Sequence, residues 1–197
     1  MPKIIGGSLA EHRAQTRERI FTAFAGLLYE RGFDAVTLSE IATAAGVGRT
    51  AMYNHFPDKE SLLVAYAIEE TERYLTGLRS ALREVETPVD SLATFIRYQL
   101  RLFSSQHLPP GAALRSLLSE QAFAQMREHA AAIEDTLRDI LKTGQQTGAF
   151  QLISVNETVI LVNAVLSGRS LTGVTGAELD AAIESTVAFV LRAVGAE

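Results

Sequence analysis

The sequence contains no cysteine among its 197 residues. This absence excludes disulfides, thiolate metal sites and thiol nucleophiles, and it is typical of proteins that work in a reducing cytosol. Long apolar runs are missing as well, since none reaches the roughly 18 residues of a membrane-spanning helix. The first nine residues are too short and too polar for a secretory signal. We therefore predict a cytoplasmic protein with no membrane partner.

Patterns that carry catalytic chemistry are also absent. The four histidines are far apart in the sequence, and none stands in a zinc-binding spacing such as His-Glu-x-x-His. The run Gly46-x-Gly48-x-x-Ala51 superficially resembles a dinucleotide-binding loop, but no strand precedes it. The sequence predicts no catalytic residue, no metal site, no cofactor and no enzymatic activity.

Helical signals, by contrast, extend from one end of the chain to the other. Apolar residues make up 47 % of the sequence, which is enough for a substantial core, and they recur at helical spacing. Thr37, Ser154 and Thr175 are each followed by a glutamate three residues later, the pattern of a capping box at a helix start. We predict an all-α fold of about nine helices, two of them between Gly111 and Gly148.

Residues 37–56 predict a helix, a tight turn around Gly46 and Gly48, and a short second helix that ends before Pro57. A helix-turn-helix of this kind can place its second helix in the major groove of DNA. The same geometry also occurs as a plain structural corner. The side chains on the second helix therefore decide between the two interpretations.

The second helix of this motif has two different faces. At about 100° per residue, Met52 and Phe56 point toward the first helix. The opposite arc carries groups that can bind base edges and phosphates, namely Arg49, Thr50, Tyr53 and Asn54. Arg49 can contact guanine through two hydrogen bonds, and Lys59 can bind a phosphate at the start of the next helix. This arc favours DNA binding.

Residues 46–59, with Thr37-Leu-Ser-Glu-Ile-Ala42 before them, resemble the DNA-binding segment of TetR-family transcriptional regulators. The resemblance is specific over residues 14–63 and extends to the rest only in length and helical pattern. It implies DNA contacts from Arg49, Thr50, Ala51, Tyr53, Asn54 and His55, with Thr37 and Lys59 on phosphates. Beside it, Lys3, Arg13 and Arg17 can form an arm and first helix that touch the DNA backbone, and a solvated surface is the alternative for Lys3. A packed histidine remains an alternative for His55. Gly48 departs from the family, which usually has a polar N-cap there.

The charge distribution is compatible with DNA binding by the N-terminal part. Residues 1–60 contain seven basic and seven acidic side chains, whereas residues 61–197 contain eleven basic and sixteen acidic ones. The entire net charge of −5 therefore lies outside the first 60 residues. We predict a DNA-binding domain at 1–60, with an arm at 1–12, and a second helical domain at 61–197.

The C-terminal helices predict self-association. Residues 159–166 are apolar nearly all round, so this helix needs cover on two sides. The last helix has a similar stripe, and the pair resembles the four-helix bundle through which TetR-family proteins dimerise. The predicted dimer residues are Val159, Val162, Leu166, Ile183, Val187 and Val190.

The middle helices carry more apolar residues than one packed stripe needs. A partly apolar cavity with a few polar anchors is the usual form of a small-molecule site. We predict a hydrophobic effector, with Tyr98, Gln125 and Asn163 as anchors. By the family's mechanism, the effector would move the fourth helix and separate the two recognition helices.

The sequence thus favours a homodimeric, ligand-responsive repressor that binds double-stranded DNA at a palindromic operator. The main alternative is a helical small-molecule-binding or catalytic protein whose helix-turn-helix is purely structural. A helical protein-interaction module is a second alternative. Strongly salt-dependent duplex binding would support the regulator, and turnover without DNA affinity would support the main alternative.

Overall fold

The computed structural model describes residues 9–105, 115, 118–171 and 173–196. Within these ranges the chain forms eight α-helices and no strand, which confirms the all-α prediction. They are α1 (Leu9–Arg31), α2 (Leu38–Ala44), α3 (Arg49–His55), α4 (Lys59–Arg83), α5 (Pro88–Ser105), α6 (Glu120–Thr147), α7 (Val155–Ser167) and α8 (Gly176–Ala193). The first helix predicted after Gly111 and most of the predicted N-terminal arm lie outside the described residues.

The described residues cluster into two compact units. The first contains those of Met1–Ala67 and His107–Gln125, and the second contains those of Ile68–Gln106 and Met126–Glu197. Helix α4 contributes its first turns to the first unit and the remainder to the second, and α6 is divided in the same way. The boundary proposed from the sequence, after residue 60, falls in the first turn of α4.

The core of the first unit is built on one face of α1. Ile20, Phe21 and Phe24 are buried there. The Phe21 ring lies 5.8 Å from the ring of Phe56 and 5.6 Å from the ring of Tyr66, measured between centroids. Burying side chains of this size stabilises the fold by about 1.5–3 kcal/mol each. These contacts fix α1 against the end of α3 and the first turns of α4.

Four helix starts are capped by side chains, and two of these caps, at Thr37 and Ser154, were predicted above. Both halves of the capping box at Thr37 are present. The carboxylate of Asp58 accepts from the Ser61 N–H at 2.7 Å, and the Thr87 hydroxyl accepts from the Asp90 N–H at 3.0 Å. The Ser154 hydroxyl accepts from the N–H three residues later at 3.3 Å. Each bond satisfies a backbone donor that the helix itself leaves unpaired.

The capping box predicted at Thr175 is wrong. Thr175 precedes α8, but its side chain makes no capping hydrogen bond. Gly176, the first residue of α8, has a left-handed φ of 59°. A capping box needs a right-handed first turn, in which the hydroxyl faces the N–H three residues later. The glycine directly after the threonine therefore separates this motif from those at Thr37 and Ser154.

The described residues of the second unit include an apolar cluster formed by α4, α5, α6, α7 and α8. Its centre includes the buried side chains of Leu92, Ile96 and Leu100 on α5. A polar pair is buried within it, since the Tyr74 hydroxyl donates to Gln99 Oε1 at 2.7 Å. Among the described residues, no helix combines the length and apolarity needed to cross a membrane.

The prediction of which residues form the dimer interface is wrong. All six are at most 4 % exposed within a single chain, so they pack in their own core and have no surface to offer a partner: Val159, Val162, Leu166, Ile183, Val187 and Val190. The apolar side chains that α7 and α8 do expose lie on other arcs, and the largest are Ile160, Leu161 and Phe189. The two helices therefore have apolar residues on both sides, and the six predicted residues lie on the side that packs in the core of the single chain.

Candidate nucleic-acid interface

The segment that joins α1 to α2 ends in a closed set of hydrogen bonds. The Thr37 hydroxyl accepts from the Glu40 N–H at 3.3 Å and donates to Glu40 Oε2 at 2.7 Å. Glu40 also accepts from the Thr37 N–H at 2.9 Å and from Arg31 Nη1 at 2.9 Å. The bonds from Thr37 and then Arg31 hold the pKa of the Glu40 carboxyl below its ordinary value. Thr37, predicted to bind a phosphate, thus already donates its hydroxyl hydrogen within the protein.

A glycine turn positions α3. Gly46 has a φ of 63°, a left-handed conformation that glycine adopts without strain. Gly48 occupies the N-cap of α3 with an extended backbone and offers no side-chain cap. Helix α3 ends at His55, just before Phe56 and Pro57, as the position of the proline predicted.

The two faces of α3 differ as predicted. Met52 is 0 % exposed, and Phe56 just beyond the helix is buried as well. The residues that α3 exposes are Arg49, Thr50, Ala51, Tyr53 and Asn54. The guanidinium carbon of Arg49 lies 5.7 Å from the centroid of the Tyr53 ring, within the range of a cation–π attraction. The exposed arc therefore presents a guanidinium, two hydroxyls and an amide from one short, rigid helix.

Basic groups from α1 gather near the end of α3. Burial first, and then the charges of Arg13 and Arg17, lower the pKa of His55, so this half-buried ring is neutral at pH 7. The guanidinium carbon of Arg17 lies 4.9 Å from the centroid of the Phe21 ring and 5.9 Å from that of Phe56. These contacts hold positive charge beside the end of α3.

Lys59, the other predicted phosphate ligand, lies in a different environment. Its Nζ donates to the backbone carbonyl oxygens of Phe33 at 2.6 Å, Val36 at 2.9 Å and Asp34 at 3.4 Å. The ammonium nitrogen also lies 4.4 Å from the centroid of the Phe33 ring. The hydrogen-bond donors of the Lys59 ammonium are therefore directed into the protein.

The second unit carries an open groove of about 560 Å³ along α4 and α5. It is lined by Glu70, Arg73, Tyr74, Tyr98, Arg101, Leu102 and Ser104. The rings of Tyr74 and Tyr98 meet edge to face with their centroids 6.3 Å apart. Arg73 pairs with Glu70 at 3.3 Å, and Arg101 lies 3.5 Å from Asp180. The groove combines an aromatic wall with guanidinium groups.

The three predicted effector anchors do not share this groove. Tyr98 lines it. Asn163 is half-buried on α7 and is not part of the groove lining. Gln125 is exposed and belongs to the first unit. In the part of the chain that the structure describes, no group of three or more histidine, aspartate or glutamate side chains is placed to hold a metal ion.

Comparison with known proteins identifies the family. The sequence model for bacterial regulatory proteins of the tetR family matches residues 20–66, which span most of α1 through the first turns of α4. The HTH-type transcriptional repressor Rv1474c of Mycobacterium tuberculosis is 32 % identical over 146 residues, which cover 70 % of this chain and 71 % of that protein. The chain belongs to the TetR family. It is a transcriptional regulator with an N-terminal helix-turn-helix.

Two further regulators are similar to this chain. The HTH-type transcriptional activator FasR of Mycolicibacterium smegmatis is 24 % identical over 190 residues, covering 90 % of this chain and 82 % of that protein. The crystal structure of the regulator FadR from Bacillus subtilis, in complex with stearoyl-CoA, has a TM-score of 0.75 at 21 % identity. The matched region covers 88 % of this chain and 97 % of the FadR chain. This TetR-family fold therefore extends through both units of the chain.

Two residues that support the helix-turn-helix were not identified from the sequence. Arg31 joins the capping box from the last turn of α1, and Phe33 supplies both a carbonyl and a ring to Lys59. The position of Arg31, nine residues before Glu40, was a weak sequence signal that Oε1 of the Glu40 carboxylate has a partner. The backbone carbonyls that surround Lys59 leave no mark in the residue types, so no sequence signal could have revealed them.

Proposed function

We propose that this regulator is a homodimeric repressor that binds a palindromic operator and is released from it by a small, largely hydrophobic effector. The observation that carries the DNA-binding part is the exposed arc of α3. Its side chains, among them Arg49, Tyr53 and Asn54, share one surface while Met52 anchors the opposite face in the core. Such a helix can present hydrogen-bonding groups to base edges without losing its own packing.

Positive charge near α3 supports phosphate contacts on the same surface. Arg13 and Arg17 lie close enough to His55 to lower its pKa, so they stand beside the end of α3. Each phosphate that such a group neutralises releases counterions and adds to the salt dependence of binding. We assign base contacts to the exposed arc and backbone contacts to Arg17 and Arg13.

Selection of genomic DNA fragments by the purified protein tests the proposal. Fragments retained at physiological salt should share an inverted repeat, because a two-fold dimer presents two copies of α3 to two half-sites. The centres of the half-sites should lie about 34–36 Å apart or a multiple of that distance. Retention of no fragment above background, or of fragments without a common sequence, would refute operator binding.

The dimer is proposed to form through the exposed apolar side chains of α7 and α8. Ile160, Leu161 and Phe189 are each more than half exposed in the single chain. Ala164, Ala181 and similar small exposed residues on the same helices allow close approach of a second copy. Burial of this face in a two-fold interface would cover side chains that the protomer core leaves in water.

The proposed effector site is the groove along α4 and α5. The rings of Tyr74 and Tyr98 and the side chain of Leu102 suit an apolar body, and the guanidinium groups of Arg73 and Arg101 suit an anionic end. An acyl-CoA combines both, as does an aromatic carboxylate, and FadR binds stearoyl-CoA. Thermal shift with acyl-CoAs of several chain lengths and with aromatic carboxylates tests the site. Stabilisation should be weakened by Tyr98→Ala, and an unchanged shift in that variant would place the ligand elsewhere.

Repression is proposed because the relative Rv1474c is named a repressor and is more similar in sequence to this chain than FasR, which is named an activator. A reporter behind the selected operator should become more active when the gene for the regulator is deleted. A fall in reporter activity after the deletion would indicate an activator.

A further inference from the structure

Three backbone carbonyl groups between α1 and α2 point at one position. These belong to Phe33, Asp34 and Val36, and they follow the end of α1 at Arg31. Carbonyl oxygens that converge in this way repel one another unless a donor lies between them. The donor is the ammonium of Lys59, which comes from the first residue of α4.

The hydrogen-bonding capacity of this ammonium is filled. A lysine ammonium has three N–H donors, and the three carbonyl oxygens lie 2.6, 3.4 and 2.9 Å from Nζ. The ring of Phe33, with its centroid 4.4 Å from Nζ, adds a cation–π contact. A phosphate could gain a hydrogen bond from Lys59 only by breaking one of these bonds.

We propose that Lys59 is a positioning residue for DNA binding and not a phosphate ligand. The inference rests on the proposed operator binding. Lys59 joins the start of α4 to the α1–α2 segment, and the helix-turn-helix begins directly after that segment at Thr37. The chain reaches α4 from α3 through only three residues, Phe56, Pro57 and Asp58. Lys59 therefore ties the entry of the motif to its exit and fixes the angle at which α3 is presented.

The lysine content of the chain permits a direct test in the wild-type protein. Only Lys3, Lys59 and Lys142 occur in the sequence, and Lys142 is exposed on α6. Acetylation with an acyl ester, followed by peptide mass spectrometry, measures the reaction rate of each lysine with and without the selected operator duplex. We expect Lys59 to react at least about tenfold more slowly than Lys142 in the free protein, because its donors are engaged and its surroundings are partly buried.

Addition of duplex should leave the Lys59 rate unchanged within about twofold, since its environment already exists in the free protein. Reaction at the Lys142 rate in the free protein, or protection that appears only with DNA, would overturn the proposal. The measurement without DNA shows whether the Lys59 ammonium is held by the backbone carbonyls, even if no duplex binds. Failure of the proposed function is therefore distinguishable from failure of this inference.

The variant Lys59→Met, with Lys142→Met as the matched control, tests the consequence for binding. Lys59→Met should lower the unfolding temperature and weaken all duplexes by a common factor. The slope of log K against log salt should stay at the wild-type value, because no phosphate contact is lost. A slope reduced by about 0.9 with an unchanged unfolding temperature is the signature of one lost phosphate contact, and it would overturn the proposal. Should Lys59→Met fail to fold, the acetylation rates still decide.

Discussion

Arg49 and Tyr53 form the pair of residues on which base recognition by this regulator is proposed to depend. The contact between their side chains, at 5.7 Å, restricts a guanidinium that would otherwise sample many rotamers. Restriction before binding lowers the entropy that is lost when the complex forms. The first turn of α3 thus presents a partly ordered donor group, on a helix whose opposite face is held by Met52.

Replacement of Arg49 by alanine should lower affinity for the selected operator by about 1–3 kcal/mol and relax the base preference at one position of each half-site. Arg79→Ala, which removes an exposed arginine of the second unit, is the control and should leave both unchanged. Fluorescence anisotropy with operator duplexes that carry each base at that position measures both quantities. Equal operator affinity and preference in wild type and Arg49→Ala would show that Arg49 makes no base contact.

Among the elements, α7 shows what a sequence pattern can and cannot determine. Its apolar residues nearly surround the helix, so the pattern predicted two buried sides without indicating which side faces the protomer core. Leu166 is 1 % exposed and Leu161 is 63 % exposed, although both are leucines on the same helix. Only the packing of α7 against the other helices of the second unit separates them.

The two leucines should therefore respond differently to mutation. Leu166→Ala should lower the free energy of unfolding by about 2–5 kcal/mol at any protein concentration, because it leaves a cavity in the core. Leu161→Glu should keep the helical circular dichroism and shift the protein from dimer to monomer in sedimentation. A dimer that survives Leu161→Glu at micromolar concentration would contradict the proposed interface.

Helix α6 packs unusually closely against the chain that follows it. A Cβ atom at Gly144 would lie 2.0 Å from Cδ2 of Phe150, whose ring is buried. Gly144→Ala should therefore destabilise the protein by about 1–3 kcal/mol through overpacking. Gly26→Ala on α1 is the control, since nothing lies within 4 Å of its Cβ position, and it should stabilise by up to about 1 kcal/mol. Urea titration compares the two, and equal effects would contradict this account of Gly144.

The helix boundaries of the helix-turn-helix were the part of the fold that could best be predicted from the sequence. Their signals are local, since the box at Thr37, the glycines at 46 and 48, and Pro57 each act within a few residues. The environment of Lys59 was inaccessible because its partners are backbone atoms 23 to 26 residues earlier in the chain. Side-chain patterns describe faces of helices, whereas this contact depends on how a connecting segment folds.

At the scale of the whole molecule, α4 is the element through which the effector is proposed to act on DNA binding. It carries Lys59 at its first residue and, further along, Arg73 and Tyr74 of the groove. If an effector binds the free protein more tightly than the DNA-bound protein, linkage requires that it weakens DNA binding by the same factor. Typical coupling free energies of 1–3 kcal/mol correspond to a roughly 5- to 150-fold loss of affinity.

A compound that raises the unfolding temperature and loses this effect in Tyr98→Ala should therefore also release the operator. Anisotropy of a labelled operator at increasing compound concentration measures the release, and Tyr98→Ala, which keeps the DNA-facing residues, should stay bound. Compounds that stabilise the protein through the groove but leave the DNA complex intact would contradict regulation by this site.

Titration of the wild-type protein into the selected operator and into a scrambled duplex of equal length, at several salt concentrations, tests DNA recognition most directly. The account predicts saturable binding of two protomers per operator, at least about 10³-fold tighter than binding to the scrambled duplex at physiological salt. It also predicts that log K falls linearly with log salt, with a slope set by the phosphates that the basic groups near α3 contact. Equal affinity for both duplexes, or binding that does not respond to salt, would contradict it.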